Sequence, residues 1–216
     1  MQQQFKPRLD ILPEFQRAMW GALAPSIDLD FVLYGGTAVA LRLGHRTSLD
    51  FDFFRAEALN KDQIRDRFAF MGSAKIVQDA LNTLVVSAGR TQVSFFGGIS
   101  IGRITAPSLT EDGILFVASP EDLLATKLKA ILDRAEVKDY IDIAALVRAG
   151  VSLERSLAGF AQMFNGEPAT VLRAIGYFED GDVHELSAED RAVLIKARDN
   201  LGPLPKVSIQ RGSLVG

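Results

Sequence analysis

The 216 residues contain no cysteine, which excludes a disulfide framework, a thiol nucleophile and zinc–sulfur chemistry. Histidine is nearly as scarce. Only His45 and His184 occur, too few for a histidine-rich metal site. No apolar run approaches the ~18 residues of a membrane-spanning helix, and the opening MQQQFKPRLDILPEF lacks the charged-then-apolar layout of a secretory leader. A cytoplasmic protein without a membrane partner is therefore expected. Excess charge is missing too: 24 Lys and Arg against 27 Asp and Glu leave a net −3, which argues against non-specific coating of nucleic acid. That balance still permits a local basic groove that grips one RNA end.

What is present is ordinary for a globular chain, with 48% hydrophobic and 24% charged residues, enough for one large or two small domains. Residues 10–24 read as an amphipathic helix, with Asp10 as cap, Pro13 in the first turn, and Leu12, Phe15, Met19 and Leu23 on one side. Asn60 caps a second helix over 60–71. Strand-like runs follow at 75–78, 83–87, 91–96, 99–104 and 114–118, separated by turn signals such as Gly89-Arg90 and Gly97-Gly98. From Ser119 the apolar period changes from two to 3.6, and Ser119-Pro120-Glu121-Asp122 is a strong helix start. Helices are expected at 119–134, 137–149, 153–164, 168–178 and 187–200, then an irregular tail from Gly202. The fold class expected is α/β (α+β), a mixed sheet with flanking helices over 1–118 followed by a helical bundle over 119–216. The acidic run at 179–190 reads as a solvated loop, with a partner-docking surface as the alternative.

The stretch with the most chemistry is FVLYGGTAVALRLGHRTSLDFDFF, residues 31–54. A hydrophobic run stops at Gly35-Gly36, a short apolar helical segment follows, and Gly44 turns the chain into a second β-like run. Alternation there puts Asp50 and Asp52 on one strand face and the apolar residues on the other. Two neighbouring carboxylates repel unless a cation lies between them, and a divalent ion held by oxygens is the usual remedy. Gly35 and Gly36 lie where a strand hands over to a helix, so free N–H groups and the helix dipole can hold an anion there. Thr37 and Ser48 can add hydroxyl contacts and Arg46 a fork of donors, while His45 reads equally as a turn residue or a ligand and Arg42 as a surface or structural arginine. The bland alternative is two solvated acids on an edge strand beside a tight turn. Downstream, Lys127 and Arg134 share a helical stripe, and Lys138-Asp139 with Asp142 opens the next helix. From pattern alone these can be snorkelling cations, first-turn acids facing the helix dipole, or ion pairs.

Gly-Gly, a short helix and then Asp-x-Asp resembles the signature of the DNA-polymerase-β-like nucleotidyltransferases, and GGTAVALRLGHRTSLDFDFF resembles the AbiEii/AbiGii-type toxin branch. The pattern K-x6-R-x3-KD-x2-D, Lys127 to Asp142, matches the downstream motifs of the same branch. The resemblance implies a nucleotidyltransferase with Asp50 and Asp52 as Mg²⁺ ligands, a nucleoside triphosphate as co-substrate, and Lys127 and Asp139 as catalytic residues. Gly35, Gly36, Thr37, Arg46, Ser48 and Arg134 would hold the nucleotide, with Lys138 and Asp142 as supports. It further implies an RNA acceptor such as a tRNA 3′ end, and the toxin half of a toxin–antitoxin or phage-defence pair with a separately encoded antitoxin. One feature departs from the superfamily: the strand expected to carry a third carboxylate, residues 91–96, offers Gln92, Ser94 and Phe96 on the relevant face. Asp79 and Glu57 are substitutes by position, and the branch can use Asp139 instead. A small-molecule nucleotidyltransferase, a non-catalytic nucleotide- or partner-binding pseudoenzyme, and a purely structural protein are the rival expectations.

Overall fold

The computed structural model describes residues 3–216 and resolves into two compact units. One comprises the chain up to Gly102, Ala106–Ala118 and Arg211–Gly216; the other comprises Arg103–Thr105 and Ser119–Gln210.

The first unit is built on an eight-stranded mixed sheet. Its strands are β1 (Gln4–Phe5), β2 (Val32–Tyr34), β3 (Asp50–Phe54), β4 (Lys75–Ala80), β5 (Thr83–Ala88), β6 (Thr91–Phe96), β7 (Ser108–Thr110) and β8 (Phe116–Val117). They lie in the order β1-β7-β8-β2-β3-β6-β5-β4, so β3 is central, antiparallel to β2 and parallel to β6. Alternation in β3 gives two unlike faces. Phe51 and Phe53 are fully buried, and Phe53 joins Phe31, Phe95 and Phe68 in one aromatic core with ring centroids 5.0–6.1 Å apart. Asp50, Asp52 and Phe54 occupy the other, half-buried face.

Four α-helices belong to this unit: α1 (Glu14–Met19), α2 (Pro25–Asp28), α3 (Gly35–Leu43) and α4 (Lys61–Arg67). The continuous helix expected over 10–24 is instead α1 flanked by 3₁₀ turns at Leu9–Ile11 and Trp20–Leu23. Pro13 cannot donate an N–H within a longer helix, and Gly21 favours the tighter turn. No strand forms at 99–104. Gly98 and Gly102 take left-handed conformations (φ +66° and +74°) that interrupt an extended run, leaving Arg103 a single bridge to Gln210. The edge strand β1 and its neighbour β7 went unforeseen because each has only two or three residues.

The second unit is helical: α5 (Pro120–Asp133), α6 (Val137–Arg148), α7 (Leu153–Phe164), α8 (Pro168–Ile175) and α9 (Ala188–Asp199). Ser119 caps α5 by accepting from the Asp122 N–H (3.1 Å), and its hydroxyl donates to the Asp122 carboxylate (2.6 Å). That carboxylate also accepts from the Ile104 N–H (2.6 Å) and the Thr105 N–H (3.3 Å), which holds the short 103–105 segment within this unit. Burial pushes the Asp122 carboxyl up, against the pull of these donors. The acids of 179–190 are partly structural: Asp182 accepts from the Val137 N–H and Asp190 pairs with Arg148 (2.7 Å). No described helix is long and apolar enough to cross a membrane.

Candidate active site

The site in the first unit grows out of the β2–α3 junction. Tyr34 is the last residue of β2, and in register it lies beside Asp52 of β3. The chain then turns through Gly35 at φ +75°, a left-handed conformation that costs any residue with a Cβ. Space demands glycine there as well, because a Cβ on Gly35 would collide with the Asp52 carboxylate. At Gly36 a Cβ would stand 2.6 Å from Arg46 Nη2 and 2.9 Å from Ser48 Oγ. The two glycines thus let one carboxylate, one guanidinium and one hydroxyl close in on the backbone that opens α3. The N-cap residue Tyr34 makes no side-chain cap bond, and the first N–H groups of α3 carry the positive end of the helix dipole.

Asp50 and Asp52 share one face of β3, as alternation required, and both are half-buried. Among the described residues the Asp50 carboxylate makes no ion pair. The Thr37 hydroxyl, expected at the nucleotide, is fully buried and donates to the Asp50 carbonyl, fastening α3 to the start of β3. Arg46 donates from Nη1 to the Thr47 carbonyl (3.0 Å). On β6 the residue beside Asp52 is Ser94, buried, so that strand supplies no third acid. Neither positional substitute replaces it. Asp79 lies on β4, three strands from β3 and in the row of Phe53, Phe95 and Leu84 on the opposite face, paired with Lys61 and Arg65. Glu57 is exposed beyond the strand and pairs with Arg55 (3.5 Å). Two rings beside Phe96 escaped the sequence reading. Tyr34, Phe54 and Phe96 form a contiguous row of rings on the acid-bearing face; the alternation that placed the aspartates also places Phe54 there. Arg42 proves structural: it donates to the Val117 and Ala118 carbonyls (3.0 Å each) and lies over the Phe5 ring, and burial pushes its guanidinium down to about 10.

In the second unit the Lys127–Asp142 pattern closes into a buried ion cluster. The Lys127 ammonium is 2.7 Å from Asp139 and 2.6 Å from Asp142, both carboxylates having no exposed side-chain surface. Arg134, half exposed, donates from Nε to the other Asp139 oxygen at 2.9 Å. Burial pushes the Asp139 carboxyl up, but Lys127 and Arg134 outweigh it and hold its pKa below the ordinary value. Two of the three ammonium protons are therefore engaged within the unit, and Asp139 is a weakly basic counter-charge. Lys138 pairs with Glu136 (2.8 Å) at the surface.

The fold is shared with solved nucleotidyltransferases. The solution structure of the antibiotic-resistance factor ANT(2'')-Ia superposes with a TM-score of 0.52 at 12% identity, over 68% of this chain and 90% of that one. A crystal structure of a candidate nucleotidyltransferase from H. pylori gives 0.53 at 17% identity, over 86% and 91% of the two chains. In sequence, an uncharacterized protein of Aquifex aeolicus (strain VF5), aq_aa25, is 28% identical over 171 residues, 77% of this chain and 82% of that protein. The profile of the nucleotidyl transferase AbiEii toxins of type IV toxin–antitoxin systems matches residues 17–208. A doubly acidic strand, a glycine turn without side chains, and a family match spanning both units converge: the chain belongs to the AbiEii toxin family and is a nucleotidyltransferase.

Proposed function

We propose that the enzyme transfers a nucleoside monophosphate from a nucleoside triphosphate to a hydroxyl at an RNA 3′ end, such as that of tRNA, as a toxin countered by a separately encoded antitoxin. The observation that carries this reading is the packing of the Asp52 carboxylate against the bare α-carbon of Gly35, which puts a hard oxygen ligand beside an anion-binding helix start. The donor set fits Mg²⁺. It consists of carboxylates alone, no cluster of three or more metal-binding side chains occurs among the described residues, and Mg²⁺ is normally held by one or two carboxylates plus phosphate oxygens and water. Asp50 and Asp52 would hold it, and once bound it would neutralise charge on the α-phosphate and the departing pyrophosphate.

The remaining parts follow from the chain itself. The amides of Gly35 and Gly36 and the start of α3 receive the β- and γ-phosphates, and Arg46 and Ser48, already folded over Gly36, add a charged fork and a hydroxyl. Thr37 keeps the Asp50 backbone fixed to that helix. The acceptor oxygen bonds to the α-phosphorus as the bond to the β-phosphate oxygen breaks. Pyrophosphate leaves with the electron pair, and the hydroxyl proton passes to water, since β6 presents Ser94 where an acid would stand. Lys127, Arg134 and Asp139 enter the proposal through the family resemblance, and their internal pairing supports a stiffening role in the helical unit.

The test is incubation with each labelled nucleoside triphosphate, Mg²⁺ and total RNA, beside Asp52→Ala. Label entering RNA only with the wild type supports the reading, and transfer that survives the substitution removes the mechanism. Label appearing on a free hydroxyl compound but never on RNA would give the enzyme a small-molecule acceptor.

A further inference from the structure

The acid-bearing face of β3 does not end at the acids. The cross-strand row Tyr34–Asp52–Ser94 is followed by the row Val32–Phe54–Phe96. Tyr34 and Phe54 stack with centroids 4.9 Å apart and planes 20° from parallel, and Phe96 meets Phe54 edge-on at 5.2 Å and 82°. These rings differ from the aromatic core on the other side. Phe51, Phe53 and Phe95 are wholly buried, whereas Phe54 and Phe96 keep part of their surface accessible. Aromatic carbon held half-open beside two carboxylates is costly to hydrate and, unlike the core rings, is only partly covered.

Direction along the strand says what would meet those rings. β2 runs antiparallel to β3 with Tyr34 beside Asp52, so the glycines that follow Tyr34 lie toward the Asp50 end. Phe54 is at the other end, two residues past Asp52, or ~7 Å along the strand. An in-line displacement puts the leaving group and the attacking oxygen on opposite sides of the phosphorus. With the pyrophosphate end at the glycine turn, the attacking hydroxyl approaches from the side of the rings.

We propose that Phe54 and Phe96, backed by Tyr34, are the stacking surface for the terminal nucleobase of the acceptor, so that the acceptor is an unpaired RNA 3′ end read by its π-face. The inference rests on the nucleotidyl-transfer reading above. Stacking of this kind tolerates any base, because every base has a π-face, and it needs no hydrogen-bonding side chain on the row. A sugar or other non-aromatic hydroxyl compound would leave the rings as wet as before and would gain nothing from them.

The experiment compares RNA oligonucleotides that end in an intact or an abasic 3′ nucleotide, with wild type, Phe54→Leu, Phe96→Leu and Phe54→Trp. Leucine keeps much of the apolar volume, and circular dichroism checks the fold. For wild type, the acceptor KM should rise roughly tenfold when the terminal base is removed. Each leucine variant should raise the KM of the intact acceptor by a similar factor while leaving the abasic acceptor and the nucleoside triphosphate KM unchanged. Phe54→Trp should restore the intact-acceptor KM. Independently of turnover, a 3′-terminal 2-aminopurine should be quenched on binding wild type and not on binding Phe54→Leu. Equal use of intact and abasic ends overturns the proposal, as does a rise in the nucleoside triphosphate KM instead of the acceptor KM. A wild type that transfers to nothing, under conditions where it binds RNA, would instead remove the nucleotidyl-transfer reading on which the proposal stands.

Discussion

Both units gather acids and cations, and they use them in opposite ways. On β3 the carboxylates of Asp50 and Asp52 sit half-buried on one sheet face, and among the described residues the Asp50 carboxylate makes no ion pair. In the helical unit Asp139 and Asp142 are completely buried, and Lys127 lies within 2.7 Å of each. Two carboxylates side by side at a partly wet surface are the kind of oxygen donors a divalent cation can take. Opposite charges locked together in a dry interior have already found their partners, and what they contribute is a fixed arrangement of helices. The comparison separates a place where charge is held ready from a place where charge is spent. Residue type does not make that distinction, and burial does.

The sharpest way to break the comparison is to delete one charge on each side. Asp52→Ala should lower kcat for nucleotidyl transfer by roughly 10³-fold or more. Its cost in stability should be smaller than that of a substitution in the buried cluster, because Asp52 is only half-buried. Lys127→Met should do the reverse in kind. It removes the ammonium that pairs with two buried carboxylates, and thermal or urea unfolding should show a loss of about 3–5 kcal/mol. If Asp52→Ala unfolds the protein, or Lys127→Met is as stable as wild type with activity abolished, the division of labour drawn here is wrong. Gly35→Ala is a smaller, finer probe. Its Cβ has to displace the Asp52 carboxylate, and its φ of +75° adds a conformational penalty of about 1–2 kcal/mol. A shift of about an ångström in a reacting group costs on the order of 10²-fold in rate. Steady-state kinetics should show that loss, with the residual protein folded.

The same contrast explains what could be read from the sequence. Asp50, Asp52 and the glycine pair were legible because they are local: strand alternation fixes the shared face, and two adjacent glycines announce a turn without side chains. Ser119-Pro120 was legible for the same reason, as were the bounds of β6 and α7. The Lys127 cluster was legible only as a set of options. Whether Lys127 snorkels, pairs or stays free depends on where α6 lies against α5, and no spacing within one helix encodes that. Residues 99–104 misled because their apolar alternation is that of a strand. The outcome was decided from outside the segment, by Gly98 and Gly102 in left-handed conformations and by the Asp122 carboxylate taking the Ile104 and Thr105 N–H groups. The pairing of β1 with β7 joins residues some hundred positions apart through strands too short to carry a pattern.

The weakest effect expected is a dependence on acidity, and its sign tests the spent-charge side alone. Asp139 has its folded-state pKa held below the ordinary value by Lys127 and Arg134 against the opposing push of burial. Its contribution to stability is complete above the unfolded carboxyl value of about 3.9 and is lost as pH falls through the folded-state value. Asp139→Asn should therefore melt below wild type at pH 7, and the gap between the two should narrow steadily from about pH 4 downward. Asp122 carries the opposite sign. Burial raises its pKa, so whatever it contributes is present below the ordinary carboxyl value and declines as pH rises through the folded-state one. Melting curves of wild type and Asp139→Asn across pH 2.5–7 decide the matter. A gap that stays constant, or that widens in acid, would mean that Asp139 is not the anchored counter-charge its surroundings describe, and the helical cluster would then belong with the acids on β3 as charge held ready.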